Sequence, residues 1–236
     1  MSTLIKIIIT SILSVSLFSC NINTGVKGNG NITTTTRALE QSFNQIEVSS
    51  GLEIYLTQSS IESILVEADE NLHDVIITEV TNNILKIYPS KNISSSAVKK
   101  IFINFKNLEK IKSASGSDVF STNKIRQNAL ILQAASGSSM HLDLELMELD
   151  CSTSSGSDLQ LQGTTTKFIA KAASGSSIDA KNLHCSNANA QAASGANIRV
   201  EASDKLVAKT SSGGHISYFG TPNKINKTKG VSAQTK

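Results

Sequence analysis

Six polar residues recur at one phase of a repeating hexamer: Asp118, Ser139, Asp158, Ser177, Asn197 and His215. Each stands two residues beyond a glycine, in segments such as "SASGSD" (113–118), "AASGSS" (134–139 and 172–177) and "TSSGSD" (153–158). Carboxylates, hydroxyls, an amide and an imidazole in one column suit two kinds of chemistry: cation ligation, or hydrogen bonding to a glycan or another polar partner. Cation ligation is disfavoured by spacing. Calcium draws its oxygens to about 2.3–2.6 Å, whereas Asp118 and Asp158 lie two repeats apart, about 10 Å if successive repeats stack as neighbouring strands. No Gly-Gly-x-Gly-x-Asp calcium repeat is present. The plainer reading of the column is a solvated row of turns; the alternative is a ligand-facing polar ladder.

Other chemistry lacks its parts. Polysaccharide-cleaving sites need clustered acids, or a base with cation partners. Asp143, Asp150, Asp179, Glu201 and Asp204 share no column. His73, His141, His184 and His215 fall at different phases, so no three-histidine metal site is expected. No serine nucleophile elbow and no cofactor motif appears. The net charge of +3 and the lack of basic runs interleaved with aromatics argue against nucleic acid. Lys112, Lys171 and Lys209 share an outward position with Gln133, Ser152 and Gln191, a pattern that serves solubility and edge protection.

The elements that must hold the ladder follow from the period. Gly116, Gly137, Gly156, Gly175, Gly195 and Gly213 are spaced by 21, 19, 19, 20 and 18 residues. A fixed period near twenty marks a solenoid. Three residues after each glycine stand Val119, Met140, Leu159, Ile178, Ile198 and Ile216, all apolar, and polar residues mostly follow them. That alternation is a strand with one buried face, and it continues through the strand that approaches each glycine. Chains of short strands that coil and stack make a parallel β-helix, all-β, with about 19–21 residues per coil. The Ser-Gly hexamer is then the corner. Glycine takes positive φ there, and Ser115, Ser136, Ser155, Ser174, Ser194 and Ser212 are expected to bond their hydroxyls to backbone at the bend.

With aromatics at 4% and no Trp, the core must be aliphatic. Residues 40–112 read as a less regular β-region continuous with the coils, with strands over 63–69, 76–80, 83–90 and 99–112 and one helical turn over 69–75. Residues 21–36 read as a polar tether and 221–236 as a basic, polar tail. Cys151 and Cys185 fall in different sectors and different rungs. A disulfide needs Cα atoms within about 7 Å, so both thiols are expected free and buried.

Residues 1–19 read as an export signal: Lys6, then the apolar "IIITSILSVSLF", then "LFSC" ending at Cys20. The run is too short to span a bilayer comfortably. It resembles a bacterial lipoprotein signal, which would make Cys20 the lipidated N-terminus and leave a mature charge of +2 (21 basic, 19 acidic). The alternative is an ordinary secretory signal cleaved nearby.

"SFNQIEVSSGLEIYLTQ", "VEADENLHDVIITEVTNNILKIY" and the serial Ser-Gly corners together resemble the putative auto-transporter adhesin, head GIN domain family of Bacteroidetes-type bacteria, over about residues 40–220. The resemblance implies a right-handed β-helix and supplies no catalytic motif. The expected organisation is signal 1–19, lipidated N-terminus and tether 20–39, N-terminal β-region 40–112, repeats 113–220 and tail 221–236. The expected function is a non-catalytic cell-envelope module, attached to membrane by lipid, binding a glycan or envelope protein. A polysaccharide-processing enzyme and an envelope structural factor are the alternatives.

Overall fold

The computed structural model describes residues 25–234. The signal segment and Cys20 lie outside the described residues. The N-terminal part holds β1 (Val26–Lys27), β2 (Ile32–Arg37), β3 (Gln45–Val48), β4 (Glu53–Gln58), β5 (Ser63–Asp69), a 3₁₀ turn at Glu70–Leu72, β6 (Ile76–Thr81), β7 (Ile84–Pro89), β8 (Ile93–Ser95) and β9 (Lys99–Phe105). The coils follow in β10 (Lys110–Ser113), β11 (Asp118–Ser121), β12 (Ile125–Ala134), β13 (Ser139–Thr153), β14 (Asp158–Ala172), β15 (Ser177–Ala192) and β16 (Asn197–Thr210). The chain closes with β17 (His215–Phe219), β18 (Lys224–Lys227) and β19 (Val231–Ala233).

The architecture is the expected β-solenoid, with about seven turns of stacked parallel strands. The strands before the corners stack in the order β7–β3–β10–β12–β13–β14–β15–β16–β18. The strands after them stack as β5–β9–β4–β11–β13–β14–β15–β16–β17–β19, with β2 added outside β5. Each of β13 to β16 runs from one corner towards the next, so it serves both ladders.

The buried column that the alternation predicted is in register. Ile101, Ile54, Val119, Met140, Leu159, Ile178, Ile198 and Ile216 pair rung upon rung, and none is more than 1% exposed. On the approach strands the inward column runs Ile111, Leu132, Cys151, Ala170, Ala190 and Ala208. It narrows to alanine toward the C-terminus. Register cannot slip by one residue without turning both columns to solvent.

The corners are two-residue turns with both central residues left-handed: Ser115 at φ 53° and Gly116 at φ 70°, repeated at every later rung and at Ser50–Gly51. In the six later corners the residue after the glycine donates its N–H to the carbonyl three back, as Ser117 does to Ala114. This is the type I′ geometry, whose twist suits flanking strands. The hydroxyl ladder is not where the sequence placed it. The serines before glycine are exposed. Those after it, Ser117, Ser138, Ser157 and Ser176, are buried and bond backbone: Ser117 Oγ donates to the Ala114 carbonyl at 2.7 Å and Ser157 Oγ to the Ala134 carbonyl at 2.8 Å.

Two segments read as unstructured are part of the fold. Residues 32–37 are not tether. They form β2, antiparallel to β5, and Arg37 Nη2 donates to the His73 carbonyl at 2.6 Å. Threonine is polar yet favours strands, so "ITTTTR" makes a good edge strand that covers the open side of β5. Residues 224–233 are not tail. They form a last partial coil, β18 on β16 and β19 on β17. A terminal rung has solvent on one side, so it lacks the alternation by which inner rungs are recognised.

Candidate functional site

The six ladder residues lie on six successive rungs in one column, each paired at Cα with the next from Asp118 to His215. Glu53 and then Lys100 extend the column toward the N-terminus. Asp118, Ser139, Asp158 and Ser177 are half-buried; Asn197 and His215 are exposed. Ser139 Oγ donates to Asp118 Oδ1. Asp158 Oδ2 accepts from Gln160 Nε2 at 3.3 Å. His215 Nε2 lies 3.2 Å from Ser217 Oγ.

A second outward column runs beside it, two residues further along each strand. It begins with four rings: Phe102, Tyr55, Phe120 and His141. Successive centroids are 5.1, 5.3 and 5.2 Å apart, with interplanar angles of 21°, 22° and 16°. Parallel strands in register place like side chains about 4.8 Å apart, so the rings stack as the backbone dictates. Tyr55 donates to Glu53 at 3.2 Å; burial, then the Glu53 charge, raises its phenol above the ordinary range. Sequence reasoning missed this stack: Tyr55 stands four residues after Gly51, the phase of Phe120 after Gly116, but Phe102 follows no Ser-Gly corner and the first half was not aligned to the repeats.

The rings end at His141, and the same column continues with Gln160, Asp179, Arg199 and Ser217. Here the surface becomes a groove of about 960 Å³, which shares Gln160, Asp179, Lys181 and Asn182 with a neighbouring hollow of about 410 Å³ that reaches Phe120 and His141. The groove has a local cause. The register of β15 shifts between Ala180 and His184 against β16, and that of β14 between Gln160 and Gln162 against β15. The extra residues swell β15 at Lys181–Asn182 and make a wall. Such bulges re-aim side chains at sheet surfaces. Phe219 and Gln234 stand at the far end. The charges are matched: Asp179 Oδ2 meets Arg199 Nη1 at 3.2 Å and Lys181 Nζ at 3.9 Å.

Cys151 and Cys185 are free and buried, as their placement on the coils predicted. Burial, with a nearby acid, pushes the Cys151 thiol well up and Cys185 up to about 12, so both stay protonated at physiological pH. Among the described residues no group of three or more His, Cys, Asp or Glu side chains is placed to hold a metal ion, and no helix is long and apolar enough to cross a membrane.

A solenoid of repeated Ser-Gly corners, carrying polar columns on one long face, defines a class of β-helical repeat domains. The profile of the family described as putative auto-transporter adhesin, head GIN domain, matches residues 42–222, and the chain belongs to that family. Its fold is shared with a putative adhesin from Bacteroides fragilis NCTC 9343 (TM-score 0.82, 21% identity, covering 90% of this chain and 100% of that one). It is also shared with a putative adhesin from Parabacteroides distasonis ATCC 8503 (TM-score 0.75, 19% identity, 89% and 99% covered). A protein from the same organism described as a putative lipid binding protein aligns with TM-score 0.69 at 22% identity, over 89% and 99% of the two chains. No curated protein matches the sequence. The family and most of these neighbours are named for adhesion rather than for an enzymatic activity, and an adhesin-like family points to the cell envelope or exterior.

Proposed function

We propose that this protein is a non-catalytic cell-envelope lipoprotein, acylated at Cys20, that binds an extended partner across the face carrying the Asp118–His215 ladder. The observation that carries the reading is the register. Six hydrogen-bonding side chains repeat on successive rungs, and a groove opens beside the last four. A partner spread along such a face makes many weak contacts at once. The acids nearest the groove are already engaged, Asp179 with two cations and Asp158 with Gln160, which favours recognition over proton transfer.

The test is cumulative substitution, read by binding to immobilised envelope polysaccharide and protein fractions. Asp158→Ala alone should weaken binding about fivefold, the worth of one net hydrogen bond. Adding Asn197→Ala and then His215→Ala should weaken it stepwise. A single substitution that abolishes cleavage of a glycan while leaving the fold intact would replace this reading with the enzyme one.

A further inference from the structure

The groove carries more information about its occupant than the ladder does. Its lining holds two acids, Asp158 and Asp179, and two permanent cations, Lys181 and Arg199, so its formal charge is balanced. Three of these four are paired with one another. A site for an anionic polymer needs an excess of unpaired cations on the binding face, and this one lacks it. The floor is polar, so an acyl chain would bury little apolar surface there. An extended peptide added as a strand needs an open backbone edge, but β14, β15 and β16 are each hydrogen-bonded on both sides.

What the groove does offer is a mixed set of donors and acceptors on a rigid support. The amides of Gln160 and Asn197, the hydroxyls of Ser177 and Ser217 and the carboxylate of Asp158, whose Oδ2 also accepts from Gln160, face one space. Such groups suit vicinal hydroxyls, which donate and accept at once. A planar ring stands toward each end. His141, in the neighbouring hollow, is the last ring of the stack, with Phe120 on one side and Gln160 on the next rung. Phe219 lies at the opposite end. Four rung intervals separate β13 from β17, about 19 Å at the usual strand spacing. Sugar rings have apolar C–H faces that pack on aromatic rings and equatorial hydroxyls that bond amides and carboxylates.

We infer that the groove binds a neutral oligosaccharide strand lying along the solenoid axis, its ends packed on His141 and Phe219 and its hydroxyls bonded to the floor between them. The inference rests on the binding-face reading above and adds the ligand's class and direction.

Calorimetric titration of the purified protein with neutral gluco-, manno-, xylo- and chito-hexaoses, beside oligogalacturonate of equal length, tests it. At least one neutral series should bind, with an affinity unchanged between low and high salt, since no net charge is neutralised. His141→Ala, Phe219→Ala and Asn197→Ala should each raise Kd about fivefold or more. Asn197→Trp, at an exposed position and so compatible with the fold, should fill the groove and abolish binding while leaving the thermal midpoint unchanged. Saturable binding confined to oligogalacturonate and weakening with salt would overturn the inference. So would neutral-sugar binding that survives Asn197→Trp, or no binding by any neutral series. If instead an envelope protein binds and is lost stepwise as ladder residues are removed, the binding face stands and the saccharide assignment falls.

Discussion

A serine at positive φ carries a steric penalty, because its Cβ crowds the following carbonyl. The chain accepts this at Ser115, Ser136, Ser155, Ser174, Ser194 and Ser212, each beside a glycine that shares the left-handed geometry. At the glycine, space is not the constraint: a Cβ built on Gly137 meets nothing within 4 Å. Gly137→Ala should therefore cost only about 1–2 kcal/mol, from backbone conformation alone, as read from the denaturant midpoint. Gly163 differs. It sits inside β14 at φ 110°, and a Cβ there would fall on the Leu144 carbonyl oxygen. Gly163→Ala should lose several kcal/mol or fail to fold, and matched unfolding curves of the two variants check the contrast. Ile178→Asp should be at least as damaging, since it leaves an unpaired carboxylate in a fully buried column. The corner glycines and the inward column were legible because period and alternation repeat six times. The hydroxyl ladder was misplaced by two residues because Ser occupies both sides of most corner glycines, and composition does not say which serine points inward.

At the scale of elements, one buried carboxylate clasps the N-terminal segment, beside the β2–β5 ladder and the Asn71 contacts to Lys27 and Asn29. Asp69, fully buried at the end of β5, accepts the Gly30 N–H at 2.6 Å on Oδ1 and those of Ala97 and Val98 at 2.8 and 3.2 Å on Oδ2. Gly28 lies against the same carboxylate, close enough that a Cβ would collide with it. Burial pushes this carboxyl up, but the backbone amides together outweigh burial and hold it below its ordinary value. The sign follows. A depressed carboxyl stabilises the fold above the ordinary Asp range and loses that contribution as pH falls through the folded-state value. Amide hydrogen exchange across residues 25–37 should stay slow through mild acid and quicken only below the usual Asp range, about pH 4. Asp69→Asn should quicken it at neutral pH and remove the acid transition, at a cost of about 1–3 kcal/mol. The clasp could not be read from "VEADENLHDV", because it joins residues about 30 to 40 positions apart and its three donors are backbone groups with no sequence signature. The strand it secures was overlooked for a related reason: β2 is an edge strand of threonines with no buried face to alternate.

For the whole molecule, attachment is the open question that a single residue decides. Cys20→Ser should abolish labelling by radioactive palmitate and move the protein from the membrane to the soluble fraction. Continued membrane retention would sink the lipid anchor, since multiple acyl chains are what would hold it firmly. The coils themselves were legible from length, period and alternation. The groove was not, because it arises from a register shift in β15 that leaves the glycine spacing within the range of its neighbours.

The identical corners have one more consequence. Every corner bonds the next in the same way, from the glycine N–H to the serine carbonyl one rung on, so the number of rungs is independent of either cap. A chain duplicated over residues 157–175 should fold, grow by about 4.8 Å along its axis and show a larger denaturant slope in proportion to the added buried surface. Scattering and chemical unfolding would show both changes. Length in this molecule is thus a counted quantity rather than a designed one. A tandem copying event in the gene, in units of about nineteen codons, would lengthen its exposed face by whole steps without any residue in the existing rungs needing to change.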